Sequence, residues 1–139
     1  MSEEVIPHEL RLAIMRLARR LRAQKADDTI SDSQMSVLAK LHHEGAHTIG
    51  QLSEGEKVTP PSMNRTVNSL ETAGYVARGA APDDGRKVVV TITAAGTEFV
   101  QQTQSRRDAW FVSRLEQLTP DQRTTLDAAA SVIRELADS

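Results

Sequence analysis

The sequence predicts a mainly α, α+β fold: a winged helix-turn-helix with N- and C-terminal helices that form a dimerisation region. Three observations predict it. Ser/Thr helix starts at Ser31, Thr48, Thr59, Thr93 and Thr119 divide most of the chain into helices. Two short runs rich in β-forming residues flank the turn Pro82-Asp83-Asp84-Gly85. The apolar stripes near both ends have no evident partner inside the central unit.

In the first helix, Leu10, Ile14, Leu17 and Leu21 recur at steps of four, three and four, which marks one face over about Pro7 to Lys25. Ser31 and Gln34 form a capping box, and Ile30 with Met35 form a hydrophobic staple. That second helix continues through Leu38 and Leu41 to Gly45, with His42 and His43 in its last turn. Thr48 and Gln51 open a short helix that buries Ile49 and Leu52 and is weakened by Gly55. A tight turn, Lys57-Val58-Thr59, follows. Thr59 is held extended by Pro60 and suits an N-cap, while Pro60 takes the first helical position.

The next helix points Met63, Val67 and Leu70 one way and Pro61, Ser62, Arg65, Asn68, Ser69 and Thr72 the other, and Gly74 ends it. Residues 75–78 and 88–92 read as strands, with Val88, Val90 and Ile92 alternating. Thr93 caps a long helix to about Leu118 that carries Phe99, Val100, Trp110, Phe111 and Leu115. Thr119-Pro120-Asp121-Gln122 starts the last helix, whose apolar residues include Leu126, Ile133 and Leu136.

Composition sets outer bounds. The 139 residues fit one domain long enough to bury a core. The absence of cysteine excludes disulfides and thiol chemistry. No signal-peptide pattern and no apolar run of membrane-spanning length occurs, so a cytoplasmic protein without membrane contact is expected. No nucleophile–base pair, metal-ligand spacing or phosphate-binding glycine loop argues for an enzyme or a cofactor. The net charge of −2 is unfavourable for binding nucleic acid, but residues 57–93 carry five basic and three acidic side chains. A helix followed by an arginine-tipped hairpin in that segment fits the grooves of duplex DNA.

The stretch DDGRKVVVTITAAG resembles the MarR (multiple antibiotic resistance regulator) family of winged helix-turn-helix transcription factors. It matches the family's Asp-x-Arg wing tip at Asp84-Gly85-Arg86, its alternating strand at Val88 and Val90, and its helix start at Ile92-Thr93-Ala94-Ala95-Gly96. VTPPSMNRTVNSLETAGYVAR is similar too, with Leu70, Glu71, Gly74 and Arg78 in matching places. The chain departs from the family at Ser53, Gly55 and Lys57; Lys57 stands where a turn glycine is common.

The resemblance implies a single MarR-type domain over residues 1–139, with a DNA-binding head at 31–93 and helical dimerisation regions at 1–30 and 94–139. It implies a homodimer acting as a repressor on a pseudo-palindromic operator, in a bacterial-type cytoplasm and on the nucleoid when bound. The reading of the site residues follows from it. Arg65 is expected to read bases in the major groove, with Pro61, Ser62, Asn64, Asn68 and Ser69 on or beside the same face. Thr59 is expected to cap the helix whose N-terminus meets a phosphate. Arg86 is expected to enter the minor groove, oriented by Asp84, while Lys87 and Arg78 contact phosphates. The family often binds small aromatic or phenolic anions; Met35, His42 and Trp110 are the candidate ligand residues. His42 and His43 are read as helix-end cations, and their cluster with His47 is not read as a metal site. The competing reading is a winged-helix module that binds protein or serves a structural role without specific DNA binding.

Overall fold

The computed structural model describes residues 7–139. Six helices and one hairpin follow in order: α1 (Pro7–Arg22), α2 (Asp32–Glu44), α3 (Ile49–Glu56), α4 (Pro60–Thr72), β1 (Val76–Ala81), β2 (Asp84–Ile92), α5 (Ala94–Leu115) and α6 (Pro120–Asp138). Helix starts are fixed by side chains that satisfy orphan N–H groups. Ser31, Thr48 and Thr119 each accept from the backbone three residues on, and Gln34, Gln51 and Gln122 close full capping boxes. Thr59 caps α4 with Pro60 behind it, and Thr93 caps α5.

One core holds the head together. Leu38, Leu41 and Val37 from α2 meet Leu52 from α3, Met63, Val67 and Leu70 from α4, and Val76 and Val90 from the hairpin. Ile30, Met35, Phe99 and Val100 complete it, so the core takes in the start of α5 beyond residues 31–93. Leu38, Leu52, Val67 and Leu70 are completely shielded from solvent. α1 and α6 bury no residue at all.

The helix ends differ from expectation by a few residues. α1 stops at Arg22 and not near Lys25, because α5 takes over the next backbone groups. The buried Thr103 hydroxyl accepts from Ala26 N at 3.2 Å, and Arg106 and Arg107 donate to the carbonyls of Lys25 and Arg22. α5 stops at Leu115, and Gln117 and Leu118 follow in a turn.

The hairpin is longer than the apolar alternation indicated. Val76 pairs with Ile92 and Ala80 with Val88, after which the register shifts so that Ala81 pairs with Asp84. Gly85, Arg86 and Lys87 therefore bulge out without ladder partners. On its other edge β2 forms a single antiparallel bridge between Val90 and His47.

Candidate nucleic-acid interface

The end of α4, the foot of the hairpin and the start of α5 meet in one joint. Gly74 adopts φ 86, which favours glycine, and the Tyr75 N–H returns to the Leu70 carbonyl at 2.9 Å, closing a Schellman turn. The Thr93 hydroxyl donates to the Gly74 carbonyl at 2.7 Å, and its N–H donates to the Tyr75 carbonyl at 3.0 Å. Gly96 lies so close to the Tyr75 carbonyl that a Cβ there would collide with backbone. This packing gives the Thr-x-x-Gly sequence a purpose: it brings the first turn of α5 against the exit of α4.

The core grips Met63, Val67 and Leu70, so helical geometry turns Pro61, Arg65, Asn68 and Ser69 outward, and all four are exposed. Arg65 has no hydrogen-bonding or ionic partner among the described residues. Its guanidinium is free to offer the planar, forked donor set that suits guanine. Thr59 is spent on the cap, accepting from Ser62 N at 3.2 Å. Ser62 turns to the flank and lines a crevice of about 100 Å³ with Ser33, Val37, Glu56 and Thr66.

Asn64 and Arg78 are joined to each other within the head. The Asn64 amide donates to the Pro60 carbonyl at 3.2 Å, and its oxygen accepts from Arg78 at 3.2 Å. Arg78 also donates to Glu71 at 2.7 Å, and its side chain is only 25% exposed. Both residues have hydrogen-bonding partners within the protein, and Asn64 remains exposed beside Arg65. Sequence reasoning missed this because the partners lie 7 and 14 positions away, across an element boundary.

At the wing tip the Arg86 side chain is 96% exposed. Asp84 accepts from the Arg86 backbone at 3.0 Å and lies 3.6 Å from its Nε, so the carboxylate shapes the bulge and sits beside the guanidinium. Lys87 is exposed next to it.

The turn of the helix-turn-helix is closed by Lys57 at φ 58 and ψ 44, the left-handed region that glycine favours. Lys57 is the one non-glycine residue with positive φ among the described residues. Its N–H returns to the Ser53 and Glu54 carbonyls, so the turn keeps its form without the glycine.

The three candidate ligand residues have different surroundings. Met35 is a core residue, 4% exposed. Trp110 lies under two cations, with the Arg20 and Arg114 guanidinium carbons 5.3 and 4.9 Å from the ring centroid. His42 instead stacks edge-on against His43. The hollow between α1 and α5 is lined by Ala18, Leu21, Arg22, Arg107, Asp108 and Phe111, none of which is in that trio. Among the described residues no three His, Asp or Glu side chains lie close enough to hold a metal ion. His47 is a bridge residue, bonded to the Gly45 carbonyl at 2.7 Å and lying 3.4 Å from Glu44.

Comparison with known proteins gives the same architecture a family. A family model described as MarR family matches residues 30–88. An HTH-type transcriptional regulator of Mycobacterium leprae is 43% identical over 137 residues, covering 99% of this chain and 96% of the relative. One from Mycobacterium tuberculosis is 39% identical with the same coverage. Among solved structures, RV1404 from Mycobacterium tuberculosis superposes with a TM-score of 0.83 at 26% identity, covering 97% of this chain and 94% of that one. The chain belongs to the MarR family of winged helix-turn-helix transcriptional regulators, which bind DNA and are not enzymes.

Proposed function

We propose that the chain works as a homodimeric repressor on a pseudo-palindromic operator and is released by a small aromatic or phenolic anion. One observation carries the reading. A single head presents an uncommitted arginine, Arg65, on the outward face of α4 and a second, Arg86, at the tip of the adjoining wing. Arg65 reads base edges in the major groove and Arg86 enters the neighbouring minor groove, while Lys87 contacts phosphate.

The helical ends support the dimer. Leu10, Ile14 and Leu17 on α1 and Val132, Ile133 and Leu136 on α6 are all exposed in one chain. α1 carries five arginines and one glutamate, whereas α6 carries four acids and two arginines, so the two helices are complementary in charge as well as apolar. An open hollow of about 440 Å³ at the α5–α6 elbow, lined by Leu118, Leu126 and Ala129, offers a further surface for a second copy.

Repression is supported by a Mycobacterium tuberculosis relative named a transcriptional repressor, 36% identical over 76 residues that cover 52% of this chain. BpsR of Bordetella bronchiseptica, a structural neighbour at 24% identity, has its DNA binding regulated by 6-hydroxynicotinic acid. Here the hollow between α1 and α5 suits an anion of that class. Leu21 and Phe111 form apolar walls, and Arg107 Nε is buried there without a partner. Burial holds the Arg107 pKa below its ordinary value; Asp32 opposes that shift and the Arg22 cation reinforces it. A carboxylate would relieve both costs. A cytoplasmic setting fits this role, and no helix of the described residues is long and apolar enough to cross a membrane.

Footprinting on the DNA upstream of the protein's own gene tests the reading. Protection of two half-sites is expected, with affinity that falls steeply as salt rises because phosphate contacts release counterions. Arg65→Ala should lose about 1–3 kcal/mol of discrimination at one base position per half-site. No protection even at low salt would overturn the assignment of α4 and the wing to the grooves.

A further inference from the structure

One guanidinium ties the wing to the recognition helix. Arg78 on β1 donates through Nη1 to Glu71 at 2.7 Å and through Nη2 to Asn64 at 3.2 Å. Asn64 and Glu71 stand two turns apart on the flank of α4, so a single planar group grips the helix at two levels. Asn64 is itself anchored to the Pro60 carbonyl. These are the side-chain hydrogen bonds that join hairpin and α4 among the described residues. Beyond them β1 continues as Gly79, Ala80 and Ala81, whose side chains are too small to reach far. The tip lies roughly 13 Å further out along the ladder, so a tilt of about 10° at the grip would move Arg86 by about 2 Å. The minor groove is only about 6 Å wide.

We propose that Arg78, Glu71 and Asn64 are positioning residues that fix the offset between the base-reading face of α4 and Arg86. They thereby select operators whose major-groove bases and wing-contacted minor groove are correctly spaced. This role rests on the groove assignment proposed above. The alternative for Arg78 is a direct phosphate contact, and the two roles differ in sign at Glu71. Removing that carboxylate makes the head more basic, so electrostatics alone strengthens DNA binding. The grip predicts the opposite.

The test uses the full-length protein and a duplex that the wild type selects from a random pool. Glu71→Ala is expected to bind that duplex roughly fivefold more weakly, within the range by which residues touching neither partner alter coupling. Glu71→Gln removes the same charge but keeps an acceptor for Arg78, and it should stay close to wild type. Hydroxyl-radical cleavage should show the wing's minor-groove protection faded or displaced in Glu71→Ala while the major-groove contacts persist. A fresh selection with this variant should return duplexes with altered spacing. Circular dichroism confirms that each variant is folded; should Glu71→Ala unfold, Arg78→Lys, which keeps the charge and loses the fork, replaces it with the same expected shift in spacing. Tighter or unchanged binding by both Glu71 variants would overturn the proposal. So would a drop in salt dependence on Arg78→Ala without any change in preferred spacing, which would make Arg78 a phosphate contact. If the wild type selects no duplex at all, the groove assignment fails and the positioning role falls with it.

Discussion

The head and the helical frame bury their apolar residues in opposite ways. Every turn of the central helices sends side chains into a shared core, and Leu38, Leu52, Val67 and Leu70 have no exposure left. α1 and α6 have comparable apolar stripes, yet Leu10, Val132 and Leu136 are each more than half exposed. The head closes its own core, whereas the frame leaves its apolar stripes uncovered in a single chain. α5 belongs to both: Phe99, Val100 and Thr103 are buried in the head, and the turns beyond them are not. The proposed second copy would find its surface in what the single chain leaves uncovered.

The largest effect should come from charging the frame. In an isolated chain, aspartates at Ile133 and Leu136 would change stability by no more than about 0.5 kcal/mol, as surface substitutions do. In a dimer they would bury unpaired charge and separate the subunits. Sedimentation of Ile133→Asp/Leu136→Asp, or of a chain lacking residues 119–139, should show monomers that no longer hold the operator. A stable dimer from either would break the contrast between the two regions.

Truncation inside the head should act on folding. Leu38→Ala is expected to cost about 2–5 kcal/mol in chemical denaturation, because the site sits at the middle of a closed core. Gly96→Ala probes the joint between the regions. Its methyl meets the Tyr75 carbonyl and the Ile92 side chain, so about 1–3 kcal/mol should be lost. Lys57→Gly should act in the other direction. It relieves left-handed strain while adding backbone entropy to the unfolded chain, for a net gain of about 0.5 kcal/mol. A lower melting temperature for that variant would show that the lysine stabilises the turn in a way its backbone does not reveal.

Local chemistry made much of this legible in the sequence. All five helix caps were readable because each is a contact three residues long: Ser31 with Gln34, Thr48 with Gln51, Thr59 with Ser62, Thr93 with Gly96 and Thr119 with Gln122. The outward face of α4 followed from helical period alone. The outer length of the wing did not, since Gly79, Ala80 and Ala81 carry no alternation and are strand only because β2 lies beside them. The Arg78 grip and the His47–Val90 bridge were equally hidden, for each joins residues that only the tertiary fold brings together. Met35, His42 and Trp110 were grouped by residue type, and type says nothing about surroundings: one lies in the core, one at the end of α2 and one beneath two arginines.

The three residues that bulge from β2 have a consequence for engineering. The regular pairing from Val76 with Ile92 to Ala80 with Val88 does not involve them. The tip is thus a cassette: loops of other length or charge can be grafted between Ala81 and Val88 without rewriting the head. On the proposed groove assignment, recognition of one groove would be exchanged in this way while the vocabulary of the other stays intact.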